Sequence, residues 1–251
     1  ALAMGDVDGD GDLDLLVAQD PTNQDEDRQL LLNDGHGNFS AAGGSFSPWS
    51  TIGVSAWTMA MGDVDGDGDL DVLFGTNSYF GGNELLLNDG LGNFSAAVGF
   101  PSSERRYTKS VAMGDVDGDG DLDLLIGNSN SEANGGNSEA NELLLNDGLG
   151  NFNVADLVDG STSTSAVAMG DVDGDGDLDL LIGNSGGANE LLAYTHCPDG
   201  GARLHSASAC FSCAPFMGRG STDVCTECVP DTTSEGIFGT GESCSIPCVL
   251  G

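Results

Sequence analysis

Four short runs of the chain alternate large and small apolar residues: Leu2-Ala3-Met4, Met59-Ala60-Met61, Val111-Ala112-Met113 and Val167-Ala168-Met169, each followed by glycine. Alternation with period two puts successive side chains on opposite faces of a strand. Residues 1–5, 58–62, 110–114 and 166–170 therefore read as strands apolar on both faces, the small face lying against a close neighbour. The column of Met4, Met61, Met113 and Met169 reads as core packing, since no Cys or His accompanies it as a soft-metal site would require. Beyond an intervening polar loop comes a second apolar run, such as Leu122-Asp123-Leu124-Leu125-Ile126-Gly127, too short for a helix and ended by Gly and Asn. A third run occupies 29–33, 84–88, 142–146 and 190–193. Three of these lead into Asn-Asp-Gly-x-Gly-Asn-Phe, a turn of residues tolerant of positive φ, and so into a fourth strand near Phe39, Phe94 or Phe152. The fourth unit lacks this turn and its Phe strand. The expected fold is all-β: a β-propeller-like array of four blade-type repeats, the last incomplete, whose apolar faces only neighbouring blades can cover.

The loop between the first two strands of each repeat is D-V-D-G-D-G-D-L-D, unchanged in all four copies at 6–14, 63–71, 115–123 and 171–179. It recurs every roughly 50–60 residues, the mark of a repeat architecture. Each copy carries five aspartates: Asp6, Asp8, Asp10, Asp12 and Asp14; Asp63, Asp65, Asp67, Asp69 and Asp71; Asp115, Asp117, Asp119, Asp121 and Asp123; Asp171, Asp173, Asp175, Asp177 and Asp179. Carboxylates at alternate positions of a tight, glycine-containing loop wrap oxygens around a hard cation, and calcium is the natural occupant. In the second copy the expected ligands are the side chains of Asp63, Asp65, Asp67 and Asp71 and the carbonyl of Asp69. Without a cation, five carboxylates would repel one another within nine residues. The motif is not an EF-hand, because the position of its bidentate Glu holds Val17, Phe74, Ile126 and Ile182. About four calcium ions, one per repeat, are expected.

These loops, each followed by a short strand, resemble the FG-GAP or VCBS repeat of integrin alpha-subunit propellers and of many secreted proteins. The resemblance covers residues 1–195. It implies a calcium-stabilised β-propeller in which the ion rigidifies a hairpin in each blade. The family's better-known propellers have seven blades, whereas four loops are present here. A small closed ring, a partial ring completed by another chain and an open stack all fit.

Charge narrows the partners. Six Lys and Arg oppose 41 Asp and Glu, for a formal charge of −35; four divalent ions would bring it to about −27. Such a surface repels nucleic acid and anionic membrane, and no apolar stretch is long enough for direct membrane insertion. Residues 196–251 form a second, disulfide-rich domain with cysteines at Cys197, Cys210, Cys213, Cys225, Cys228, Cys244 and Cys248. The two C-x-x-C pairs, Cys210/Cys213 and Cys225/Cys228, also have zinc-ribbon spacing. A segment so poor in large apolar residues needs covalent staples, and clustered cysteines beside calcium loops suit an oxidising, extracellular setting. The spacing resembles ephrin-receptor-like and TNF-receptor-like cysteine-rich repeats. Seven is odd, so one cysteine is free, pairs between chains or pairs beyond the segment. A cleaved or external leader is expected. Asn38-Phe39-Ser40 and Asn93-Phe94-Ser95 are N-glycosylation sequons.

The variable segments 19–28, 76–82, 128–140 and 184–188 are the expected sites of specific recognition, since binding residues concentrate on loops of a rigid scaffold. Arg105, Arg106 and Lys109 beside Tyr107 form the one basic patch. Nothing resembles a catalytic constellation: of His36, His196 and His205, the first stands in a turn position that is Leu91 and Leu149 elsewhere. The expectation is a non-enzymatic, secreted, calcium-binding structural or adhesive protein that binds a protein or glycan. Two refinements fit: self-association into a filament through an unpaired edge of the last blade, and the ligand-binding ectodomain of a cell-surface receptor.

Overall fold

A computed structural model describes residues 1–18, 28–42, 56–76, 82–101, 107–129, 140–155, 157, 163–196, 202–206, 210–212 and 226–228. Among them are four four-stranded antiparallel sheets, one small two-stranded sheet and no helix. The first sheet is β1 (Leu2–Gly5), β2 (Asp14–Ala18), β3 (Arg28–Asn33) and β4 (Phe39–Ala41). The second is β5 (Ala56–Gly62), β6 (Asp71–Thr76), β7 (Glu84–Asn88) and β8 (Phe94–Ala96). The third is β9 (Thr108–Gly114), β10 (Asp123–Asn128), β11 (Glu142–Asn146) and β12 (Phe152–Ala155). The fourth is β13 (Thr164–Gly170), β14 (Asp179–Asn184), β15 (Glu190–His196) and β16 (Ala202–Ser206).

Each sheet is a meander in chain order. The aspartate loop, joining strands one and two, therefore shares an end of the sheet with the Asn-Asp-Gly turn joining strands three and four. The variable segments join strands two and three at the opposite end. Three of them fall largely at 19–27, 77–81 and 130–139, outside the described residues, as do Arg105 and Arg106.

The sheets stack face to face in series, and the core lies in the joints between them. Val7, Leu16 and Leu30 of the first sheet pack with Val72, Phe74 and Leu86 of the second. Val64, Leu73 and Leu85 of the second meet Val111, Leu124, Ile126 and Leu144 of the third. Val116, Leu125 and Leu143 of the third meet Leu180, Ile182 and Leu192 of the fourth. Strand alternation thus gives each inner sheet two apolar faces, one for each neighbour. The first and fourth sheets each have one face that no described residue covers, so Leu2 and Met4 are exposed rather than buried on both sides.

One expectation is revised. The fourth sheet is not short of a strand, because β16 pairs with β15 in the register Leu192↔Ser206 to His196↔Ala202. The third strand runs three residues beyond the expected 193, and its partner comes from residues assigned to the tail. Backbone pairing needs neither the Asn-Asp-Gly turn nor the Phe that marked this strand elsewhere. Pro198-Asp199-Gly200 was the available turn signal. In the tail, β17 (Cys210–Ser212) and β18 (Thr226–Cys228) pair so that Cys210 stands opposite Cys228. Cys197, Cys213, Cys225, Cys244 and Cys248 lie outside the described residues.

Candidate metal centre

Every aspartate loop closes on its own backbone. Asp63 accepts from Gly66 N at 2.8 Å through Oδ1 and from Gly68 N at 2.9 Å through Oδ2. Asp67 Oδ1 accepts from Asp69 N at 3.0 Å. Gly66 and Gly68 have φ of 76° and 96°, a region that costs residues with a Cβ about 1 kcal/mol or more. A Cβ on Gly9 would also lie 3.4 Å from Gly90 O and one on Gly66 3.1 Å from Gly148 O, so the first and second loops sit beside the Asn-Asp-Gly turn of the next sheet.

The ninth position is the anchor. Asp71 is fully buried, and its two oxygens accept from Val64 N and Asn88 N, each at 2.9 Å. Asp123 accepts from Val116 N and Asn146 N, Asp14 from Val7 N and Asn33 N, and Asp179 from Val172 N and Tyr194 N. One carboxylate thus ties the loop to the first residue of the third-strand turn. In the inner sheets that turn residue reaches further: Asn88 Nδ2 donates to Val7 O at 2.8 Å and Asn146 Nδ2 to Val64 O at 2.7 Å, each across a joint.

Ligand oxygens of Asp63, Asp65 and Asp71 lie within 4.8 Å of one another, as do those of Asp115, Asp117 and Asp123, of Asp171, Asp173 and Asp179, and of Asp6, Asp8 and Asp10. Positions one and three therefore converge in all four loops, position nine in three and position five in one. At position seven the Asp69 and Asp121 carboxylates instead fill the space beside Gly90 and Gly148. That direction leaves their carbonyls for a loop-centred ion. The residues fit a hard cation on independent grounds: Asp8 Oδ1 and Asp65 Oδ1 are buried and receive no hydrogen bond. An orphaned, converging carboxylate oxygen is costly unless a cation meets it.

Burial, opposed by two backbone donors, pushes Asp71 and Asp123 up to about 6. Burial first, then neighbouring aspartates, also raises Asp8, Asp65, Asp117 and Asp173. The folded pKa values of Asp71 and Asp123 lie above an unfolded value of about 3.9. Between about pH 4 and 6 the ion-free fold holds more protons than the unfolded chain, so its stability falls as pH rises through that window. Metal binding needs the charged forms and runs the other way. The calcium-stripped chain should melt at a higher temperature at pH 5 than at pH 7, while calcium titrated at the same two values should bind more weakly at pH 5. Parallel trends in both experiments would contradict this assignment.

The fourth site differs. Asp171 and Asp173 are exposed where Asp63, Asp65, Asp115 and Asp117 are half-buried, and Tyr194 replaces the turn asparagine. Electrostatic attraction weakens as the site opens to water. A calcium titration should resolve three sites of similar affinity and a fourth about tenfold weaker, a difference of about 1.4 kcal/mol. Four equivalent sites would show that exposure has no bearing on affinity.

Some structural residues escaped the sequence reading. Asn83 and Asn141 Oδ1 accept from Thr76 N at 3.0 Å and Asn128 N at 2.7 Å, and Thr108 Oγ1 lies 2.8 Å from Asn83 Oδ1, closing the opposite end of the sheets. Their signal is the repeated Asn-Glu-Leu-Leu at 83, 141 and 189. Lys109 Nζ stands 3.6 Å from the Trp57 ring centroid, joining β5 to β9 rather than reaching for an outside partner. Asn38 and Asn93 are exposed in their turns, with Nδ2 donating to Asp34 at 2.8 Å and to Asp89 at 3.0 Å.

Serially stacked four-stranded sheets, each with a convergent aspartate loop at one end, define a propeller-type repeat protein with acidic loops that could hold metal ions. An FG-GAP-like repeat model matches residues 6–74, 63–126 and 130–182, more than half of the chain, which belongs to this family. FG-GAP repeats occur in extracellular and cell-surface proteins, typically as binding or structural domains. No curated protein sequence matches the chain. No helix among the described residues is long and apolar enough to cross a membrane.

Proposed function

We propose that this protein is an extracellular structural or adhesive module in which about four calcium ions, one per loop, lock the sheets into a rigid array. The observation that carries the reading is the set of four converging aspartate clusters, of which the first and second have a buried, unpartnered oxygen and lie beside the joint to the next sheet. In the second loop the ion takes Asp63, Asp65, Asp67 and Asp71 through side chains and Asp69 through its carbonyl, with the same positions acting in the other loops. Calcium held in this way supports architecture and not turnover.

Recognition falls to the variable segments at the far end of the sheets, which such a scaffold would present to a protein or glycan. The tail's cysteines form disulfides, and Asn38 and Asn93 carry glycans. Filament growth through an unpaired edge of the last sheet loses its particular support, because β16 supplies that strand. The immobilised chain, probed with a glycan array and with purified matrix proteins, should show saturable binding in millimolar calcium that disappears in chelator. Binding that survives chelation and substitution of the variable segments would sink the reading.

A further inference from the structure

We infer that two copies of this chain dock head to tail, the uncovered face of the first sheet in one copy seating on the uncovered face of the fourth sheet in the other. The three internal joints share one construction. Leu70, Leu122 and Leu178, each from the later sheet, occupy the space that a side chain on Gly5, Gly62 or Gly114 of the earlier sheet would need, with Met61, Met113 and Met169 alongside. Higher up, Val111 and Val167 fill the same kind of notch at Gly75 and Gly127.

The two outer faces carry the unmatched halves of a fourth such joint. On the first sheet the knobs are Leu13, Met4 and Leu2, which are 55%, 57% and 63% exposed. On the fourth sheet the notches are Gly170, with no atom within 4 Å of where a side chain would start, and Gly183, which meets only Ala166 of its own sheet. Beside them Val172 and Leu181 are 57% and 47% exposed, whereas their counterparts Val7, Val64, Val116, Leu16, Leu73 and Leu125 are at most 1% exposed under the next sheet.

The polar part of the joint is present too. Asn33 occupies the position of Asn88 and Asn146, and its Nδ2 bonds only Leu13 O of its own sheet, at 3.1 Å. Asn146 makes that local bond to Leu122 O, at 3.1 Å, and a second across the joint to Val64 O. In the docked pair the matching acceptor for Asn33 is Val172 O. Where Arg28 of the first sheet meets Glu84 of the second at 3.0 Å, the new joint sets Asn189 beside Gln29, an uncharged pair.

A second copy is favoured as occupant because the two faces complement each other by the rule already used three times inside the chain. The contact is heterologous: two copies that satisfy both joints close a ring of eight sheets, and copies that do not close grow into longer assemblies. This inference uses the faces of the array and stands apart from the calcium and ligand assignments above.

Sedimentation and light scattering on the whole chain, in calcium at physiological salt, test it. The native chain should have twice its 25.4 kDa mass or more. Leu13→Arg and Gly170→Arg each alter one outer face, and each should be monomeric with the native far-ultraviolet circular dichroism spectrum, melting at the temperature the native chain reaches when diluted until it dissociates. Mixed, they leave one intact joint, Leu13 of the second variant on Gly170 of the first, and should form a one-to-one dimer. A native chain that remains monomeric at about 100 μM overturns the proposal, as does association that both substitutions leave untouched.

Discussion

Stripping calcium from the purified chain should lower its melting temperature by about 20–40 °C. Three sites held at a hundred times their Kd contribute about 2.7 kcal/mol apiece and the fourth, about tenfold weaker, about 1.4 kcal/mol, or about 9.5 kcal/mol together. A domain of this length shifts by about 2–4 °C per kcal/mol, while folded domains usually have only about 5–15 kcal/mol to lose. The ion-free array therefore sits near its unfolding threshold at neutral pH. The structure shows where the loss falls: the first and second loops each pack against their own sheet's turn and the next sheet's turn, so either one, opening under carboxylate repulsion, frees two hairpins and one joint. The buried, unpartnered Asp8 and Asp65 oxygens are the points at which repulsion has no local remedy. Calorimetry in millimolar calcium and after exhaustive chelation provides the comparison. A shift below about 5 °C would mean that the loops hold themselves together without an ion.

Much of this architecture was legible because its signals are local and repeated. The alternation at Met59-Ala60-Met61, the invariant loop and the Asn-Asp-Gly turn each specify one element by short-range geometry, and the elements lie where those signals put them. Two kinds of feature were not legible. The strand β16 carries none of the family turn's residues, and its pairing with β15 is fixed by backbone hydrogen bonds that leave no side-chain pattern. Contacts across the joints bring together residues far apart in sequence, such as Asn88 with Val7 and Leu70 with Gly5, and nothing in a single repeat announces them. At the candidate site, the sequence spacing is what makes positions one and three candidate ligands, and their oxygens lie within 4.8 Å of one another in all four loops. It did not reveal that position nine spends both oxygens on backbone donors, a role that depends on the third strand lying beside the loop.

Asp71 is where those two roles meet, and Asp71→Asn, with its counterpart Asp123→Asn, should be the most damaging isosteric change in the loops. The amide keeps the carboxylate's shape but offers one acceptor where Val64 N and Asn88 N require two, and its NH2 faces an N–H. Leaving a buried donor without an acceptor costs about 1–3 kcal/mol. Losing an ion from a site held at a hundred times its Kd adds about 2.7 kcal/mol, giving a fall of about 10–20 °C in calcium. The titration should then count three ions. Asn88 also clasps Val7 across the joint, so the first and second sheets should loosen together. Chelation discriminates between the two contributions. Burial pushes the Asp71 carboxyl up to about 6, so at pH 7 the ion-free fold carries a charge it would rather neutralise, and the neutral amide relieves that cost. The deficit of Asp71→Asn should therefore shrink to a few degrees in chelator. Asp69→Asn, which alters only a side chain lying beside Gly90, should keep four ions and melt within about 2 °C of the native chain. If Asp71→Asn also binds four ions, or its deficit is the same with and without calcium, the ninth aspartate is a structural hydrogen-bond acceptor alone and the ligand set must be drawn from the rest of the loop.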